Sequence, residues 1–163
     1  MMLENDEKGW PYFAPDEIAA VQQVLLSGSV NHWTGDKGRR FEEEFAATFG
    51  CKYGVAVANG TVALELALKS LGIGPGDEVV TQSFTFVATV EAIIESGATP
   101  VCAEIDTSLN IDIGDLRRRL TSRTRAVIVV HMLGTPARLH EVLAVCEERG
   151  IAVIEDTAWG CGG

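Results

Sequence analysis

"DEVVTQSFTFVATVEAIIESGATPVCAEI", Asp77 to Ile105, changes its period twice along its length. DEVVTQ reads as a short strand, FVATVEAIIESG as a helix, and TPVCAEI as a second strand. Two strands joined through one helix imply parallel pairing by a right-handed crossover. The alternation continues downstream. IGDLRRRLT is a helix, RAVIVVHM a strand, ARLHEVLAVCEERG a helix, and IAVIED a strand. Upstream, NGTVALELALKSLG reads as a helix and YGVAVA (Tyr53 to Ala58) as a further strand. Five strand signals alternating with helices predict an α/β fold, a mostly parallel sheet with flanking helices.

The N-terminal third has a different pattern. DEIAAVQQVLL (Asp16 to Leu26) places Ile18, Val21, Val24 and Leu25 on one helical face, with Gly28 as a stop signal. SGSVNHWTGDKG is a polar, glycine-rich loop. RRFEEEFAATFG resumes helical spacing through Phe41, Phe45 and Phe49 and ends at Gly50. Residues 1–50 are therefore expected to form an N-terminal helical segment, and residues 51–163 the α/β part.

Composition narrows the function classes. The 163 residues are 47% apolar and 22% charged with 17 glycines, a globular balance. A net charge of −10 argues against nucleic acid as a partner, since that surface needs a basic patch. The one basic cluster, Arg117 to Arg119 with Arg123 and Arg125, reads first as a solvated helix face and second as a phosphate-binding patch. The acidic start MMLENDEKGWPYF has no apolar core and is not read as a secretory signal. No run approaches the roughly 18 apolar residues of a membrane span. Cys51, Cys102, Cys146 and Cys161 fit neither a zinc site nor a disulfide framework, so reduced thiols in a cytoplasmic protein are expected. His32, His131 and His140 have no second ligand at helical spacing, so no metal site is expected.

In open α/β sheets ligands gather beyond the carboxyl ends of the strands. Asn59 to Thr61, Ser83 to Phe86, His131 to Pro136 and Glu155 to Trp159 fall there, and three of them offer candidate groups. At Asn59-Gly60-Thr61 a turn opens a helix whose first N–H groups and dipole would suit a phosphate; taken alone, an ordinary turn capped by Asn59 or Thr61 is the plainer reading. Phe86 sits where a strand passes into a helix, able to stack on a flat ring, though by itself a core phenylalanine is the plainer reading. Glu155 and Asp156 end the last strand; Glu155 is expected to point aside or be salt-bridged, and Asp156 to enter the cleft. No nucleotide fingerprint is present: GIGPGDE (Gly72 to Glu78) follows a helix and precedes a strand, the reverse of the required order.

NGTVALELAL, GIGPGDEVVTQSFTFVATVEAIIESGATPV, IDTSLNID, VHMLGTPA and VIEDTA occur in that order and at matching spacing. Together with the upstream segment from SGSVNHW they resemble the DegT/DnrJ/EryC1/StrS family, sugar aminotransferases of the type I fold that use pyridoxal 5'-phosphate (PLP). The likeness runs from about Pro11 to the last residue. It implies that Thr61 and Val62, beside Gly60, give backbone N–H groups to the cofactor phosphate, that Phe86 stacks on the pyridine ring, and that Asp156 binds the pyridinium nitrogen. Three residues after that acid many relatives carry Gln or His. Trp159 stands here, a donor only, either serving the cofactor's phenolic oxygen or shaping a different substrate pocket.

The resemblance further implies a nucleotide-linked keto-sugar substrate, an amino acid such as glutamate as amine donor, and a homodimer in which the loop around Trp33-Thr34-Gly35 lies near the partner. It places the family's Schiff-base lysine beyond Gly163. Of the lysines present, Lys8 and Lys37 are read in loops, Lys52 before a strand, and Lys69 about 12 Å along a helix from the phosphate end. A seven-stranded sheet is implied, two further strands lying between Tyr53–Ala58 and Ile151–Glu155. The chain is thus expected to be the first part of the PLP-binding large domain of a longer enzyme. Two alternatives stay open: a PLP-dependent sugar dehydratase of the same family, and a catalytically inactive remnant.

Overall fold

Side chains alternate along every strand of the sheet, and the helices divide accordingly between its two faces. The computed structural model describes residues 11–162. They fall into two compact units, one ending at Ala56 and the other beginning at Val57.

The first unit holds α1 (Pro15–Ser27) and α2 (Lys37–Thr48). Pro15 occupies the first turn of α1, where its missing N–H costs nothing, and Glu17 reaches back to accept the Ala14 N–H at 2.6 Å. Gly28 closes the helix in the left-handed region at φ 70°. The Asn31 side chain organises the following loop, its Oδ1 accepting the N–H groups of Trp33 and Thr34. Phe41, Phe45 and Phe49 form a ladder along α2 with ring centroids 5.4 and 4.7 Å apart. These rings stay exposed, as do Ile18, Val21 and Leu25 on α1. Lys37 starts α2, so its placement in a loop is corrected.

Tyr53–Ala58 forms no strand, which corrects the fifth strand signal. The residues nearest α2 are held by it instead. The Ala56 N–H donates to Glu42 Oε1 at 2.8 Å, and a Cβ on Gly54 would lie 2.5 Å from the Glu42 carbonyl oxygen. A ladder needs a partner strand, and none pairs with this segment among the described residues.

In the second unit the order is α3 (Gly60–Ser70), β1 (Glu78–Gln82), α4 (Val87–Glu95), β2 (Thr99–Ala103), α5 (Ile113–Arg119), β3 (Thr124–Val130), a short 3-10 turn (Met132–Gly134), α6 (Leu139–Glu147) and β4 (Ala152–Asp156). All pairings are parallel, in the order β2-β1-β3-β4. Val79, Ala126, Ile128 and Val130 pack with Leu64, Leu68, Ala92 and Ile93 from α3 and α4. Val80, Val127 and Val129 pack with Leu116 of α5 and Val142 and Val145 of α6. The strands are apolar on both faces because helices cover both, as a parallel sheet requires.

The basic cluster is largely spent on acids. Arg118 and Arg119 each approach Asp115 at 3.0 Å, Arg117 reaches Glu148 at 3.4 Å, and Arg123 pairs with the buried Glu78. That agrees with a solvated helix face rather than a phosphate patch. The four cysteines are free, and burial pushes the Cys146 thiol up to about 11. Among the described residues no helix is long and apolar enough to cross a membrane.

Candidate active site

The pleat of β4 decides which acid enters the cleft. Ala152 and Ile154 pack on the α3/α4 face and Val153 on the α5/α6 face. The same alternation sends Asp156 toward α3 and α4, and Glu155 the other way. Glu155 Oε2 lies 3.2 Å from His131 Nε2. His131 Nδ1 accepts the Ala137 N–H at 3.0 Å, so the ring proton sits on Nε2 and is donated to Glu155.

Asn59 caps α3. Its backbone is extended, and its Oδ1 accepts the Val62 N–H at 3.0 Å. Of the backbone donors singled out in the sequence, that of Val62 is therefore taken. Those of Gly60 and Thr61 have no partner among the described residues. No protein atom lies within 4 Å of where a Cβ on Gly60 would sit. Two unpaired N–H groups at the positive end of a helix, with open space above them, form an anion site.

Phe86 precedes α4 as its N-cap, with φ −68° and ψ 143°. Extended backbone at that position turns the ring away from the buried side of α4, which Thr89, Ala92 and Ile93 fill. Phe86 is 69% exposed, so it is not a core residue, correcting the plainer reading. The loop that carries it is anchored by the buried Gln82. The Gln82 amide donates to the Phe84 and Leu109 carbonyls at 3.1 and 3.3 Å, and its oxygen accepts the Val130 N–H at 3.2 Å.

These pieces meet in one cavity of about 500 Å³, lined by Gly60, Thr61, Phe86, Thr89, Asp156 and Trp159. Leu64, Ala88, Val130 and Ala158 supply apolar wall, and Asn59 completes the rim. Val62 does not line it. Sequence reasoning missed Thr89, whose hydroxyl lies 3.5 Å from Asp156 Oδ2. Its one signal was a polar residue among the apolar neighbours Val87, Ala88 and Val90 in the first turn of VATVEAIIE. Lys69 does not line the cavity; it pairs with Glu65 at 2.5 Å near the far end of α3. No cluster of potential metal ligands occurs among the described residues.

The model of the DegT/DnrJ/EryC1/StrS aminotransferase family matches residues 11–163. The chain belongs to this aminotransferase family. Spore coat polysaccharide biosynthesis protein SpsC of Bacillus subtilis is 47% identical over an alignment of 162 residues that covers 96% of this chain and 41% of SpsC. The aminotransferase from Psychrobacter cryohalolentis superposes with a TM-score of 0.91 at 41% identity, over 94% of this chain and 39% of that one. Spr1654 from Streptococcus pneumoniae, in its PLP-form, gives 0.86 at 27% identity, over 93% and 42%. The chain thus spans about two fifths of the length of the relatives it matches.

PLP is the cofactor of this aminotransferase family. The cavity has the chemistry such a molecule requires. It offers paired backbone donors for a phosphate, an exposed flat ring for an aromatic heterocycle, and an acceptor-only carboxylate for a protonated ring nitrogen.

Proposed function

We propose that this chain is the N-terminal part of an aminotransferase that acts on a nucleotide-linked keto-sugar, with an amino acid, glutamate in the first instance, as amine donor. One observation carries the reading: free N–H groups at the start of α3, the exposed Phe86 ring and the Asp156 carboxylate line the same cavity. The polysaccharide role named for SpsC supports a sugar substrate.

When bound, PLP supplies an electron sink. In this proposal Gly60 and Thr61 donate to its phosphate through their backbone N–H groups, and Val62 joins them if Asn59 Oδ1 releases its N–H. Phe86 stacks on the ring. Asp156 accepts the ring N–H and, through its charge, keeps that proton in place. Trp159, 59% exposed at the cavity, has an indole N–H to donate and no acceptor atom on its ring. Leu64, Ala88, Val130 and Ala158 keep water from the ring. The lysine that carries the cofactor comes from outside this chain, and residues 51–163 are the first part of the large domain. Two further strands of that domain then lie between the Tyr53–Ala58 segment and β4. The longer protein is proposed to be a cytoplasmic homodimer, with the loop around Trp33-Thr34-Gly35 close to the partner.

The complete gene product tests this. It is expected to purify with bound PLP, visible in its absorbance, and to move an amino group from glutamate to a nucleotide-linked keto-sugar. Loss of a sugar hydroxyl without amine transfer would assign it to the family's dehydratases. Failure to bind PLP at all would sink the proposal. The 163-residue chain alone is expected to be inactive.

A further inference from the structure

The torsion that aims an aspartate carboxylate is soft: χ2 joins sp³ to sp² carbon and has broad, two-fold wells. In Asp156 both oxygens are held. Oδ1 accepts the Ala158 N–H at 3.1 Å, and Oδ2 accepts from Thr89 Oγ1 at 3.5 Å. Thr89 is 1% exposed and lies in the first turn of α4, where its N–H donates to the Phe86 carbonyl at 3.1 Å. Its hydroxyl also stands 3.0 Å from Thr85 Oγ1. A hydroxyl has one proton to donate and an ionised carboxylate has none. The direction of the chain follows: Thr85 donates to Thr89, and Thr89 donates to Asp156.

We infer that Thr89 is a positioning residue for the reaction, its hydroxyl setting the plane in which the Asp156 carboxylate meets the ring nitrogen of the cofactor. The inference rests on the role proposed above for Asp156. The N-cap and first turn of α4 then carry the ring that stacks and the hydroxyl that aims the acid, so a shift of this helix start moves the two together. A separation of 3.5 Å lies beyond the roughly 2.5–3.0 Å of a well-formed O–H···O bond, so the contact is a weak one in this chain, and the inference requires it to tighten when the ring nitrogen engages Asp156.

The full-length holoenzyme, reconstituted with PLP labelled with ¹⁵N at the ring nitrogen, provides the test. Thr89→Val and Thr89→Ala remove the hydroxyl, Thr89→Ser keeps it, and Asp156→Asn marks loss of the carboxylate. Each variant is measured for melting temperature, for the single-turnover rate with the amino donor, and for the ring-nitrogen resonance. Removing the hydroxyl is expected to slow the half-reaction about tenfold and to move the resonance part of the way toward that of Asp156→Asn. Thr89→Ser is expected to stay close to wild type in both. The alanine variant serves the same comparison if the valine one does not fold. A serine variant as impaired as the other two would overturn the inference. So would a lowered melting temperature with an unmoved resonance in the valine and alanine variants. If Asp156→Asn itself leaves the resonance in place, the underlying reading of Asp156 fails, whatever Thr89 does.

Discussion

Asp156 and Glu155 are neighbours in sequence with different surroundings. Asp156 lines the cavity and is bonded on both oxygens, whereas Glu155 turns to His131. In the complete enzyme Asp156→Asn keeps the shape and removes the charge. The loss of a partner for a charged group, about 3–5 kcal/mol when buried, is expected to slow the half-reaction with the amino donor by about two orders of magnitude. Glu155→Gln should do far less, because an amide oxygen still accepts from His131 Nε2. Single-turnover absorbance of the two variants decides between them, and equal slowing would mean the wrong carboxylate has been given the role. The sequence carried this distinction because a two-residue alternation survives to the last position of the strand. It did not carry Thr89, since a threonine in a helix has no periodic signature of its contact with a distant strand. Nor did it separate an exposed Phe86 from a buried one, because the same residue type suits both.

At the scale of the element, α5 shows how one buried acid joins a helix to a strand end. Asp115 is buried in the first turn of α5, accepts the Glu104 N–H at 2.8 Å just past β2, and holds Arg119 and Arg118. The Glu104 N–H first, then Arg119, hold its carboxyl below the usual carboxylate range. The sign follows from linkage. The folded state favours the ionised form more than the unfolded chain does, so this contribution is present above the unfolded value of about 3.9. It is lost as pH falls through the lower folded value. Asp115→Asn is therefore expected to lower stability at neutral pH, with the gap from wild type closing in acid; urea melts across that range would measure it. Four strands and six helices were legible as elements because each is a short apolar run or a 3.6-residue pattern, several of them set off by a glycine or a proline. Tyr53–Ala58 misled for a physical reason. An apolar run reports that a strand is possible, while pairing depends on a neighbour that local sequence does not contain.

For the molecule as a whole, the two units differ in what they bury. Among the described residues the first unit has one buried apolar side chain, Ala46, and exposes Phe41, Phe45 and Trp33; the second has two packed layers. Strands β2 and β4 end the sheet on either side. Exposed strand edges and uncovered apolar helix faces favour association. The 163-residue polypeptide, purified alone, is expected to self-associate in light-scattering chromatography and to bind a hydrophobic dye. A monomer with a single cooperative melt would count against this. The division of the sheet between its faces reaches further, into how the gene tolerates change. Every position of β3 and β4, substituted in turn in the full-length protein and scored separately for cellular abundance and for turnover, is expected to separate the core positions of both faces from the cavity end of β4. Polar replacements on either face, at Ile128 and Val130 as at Val127 and Val129, should deplete the protein, because helices cover both faces, whereas replacement of Asp156 at the cavity should leave more protein than activity.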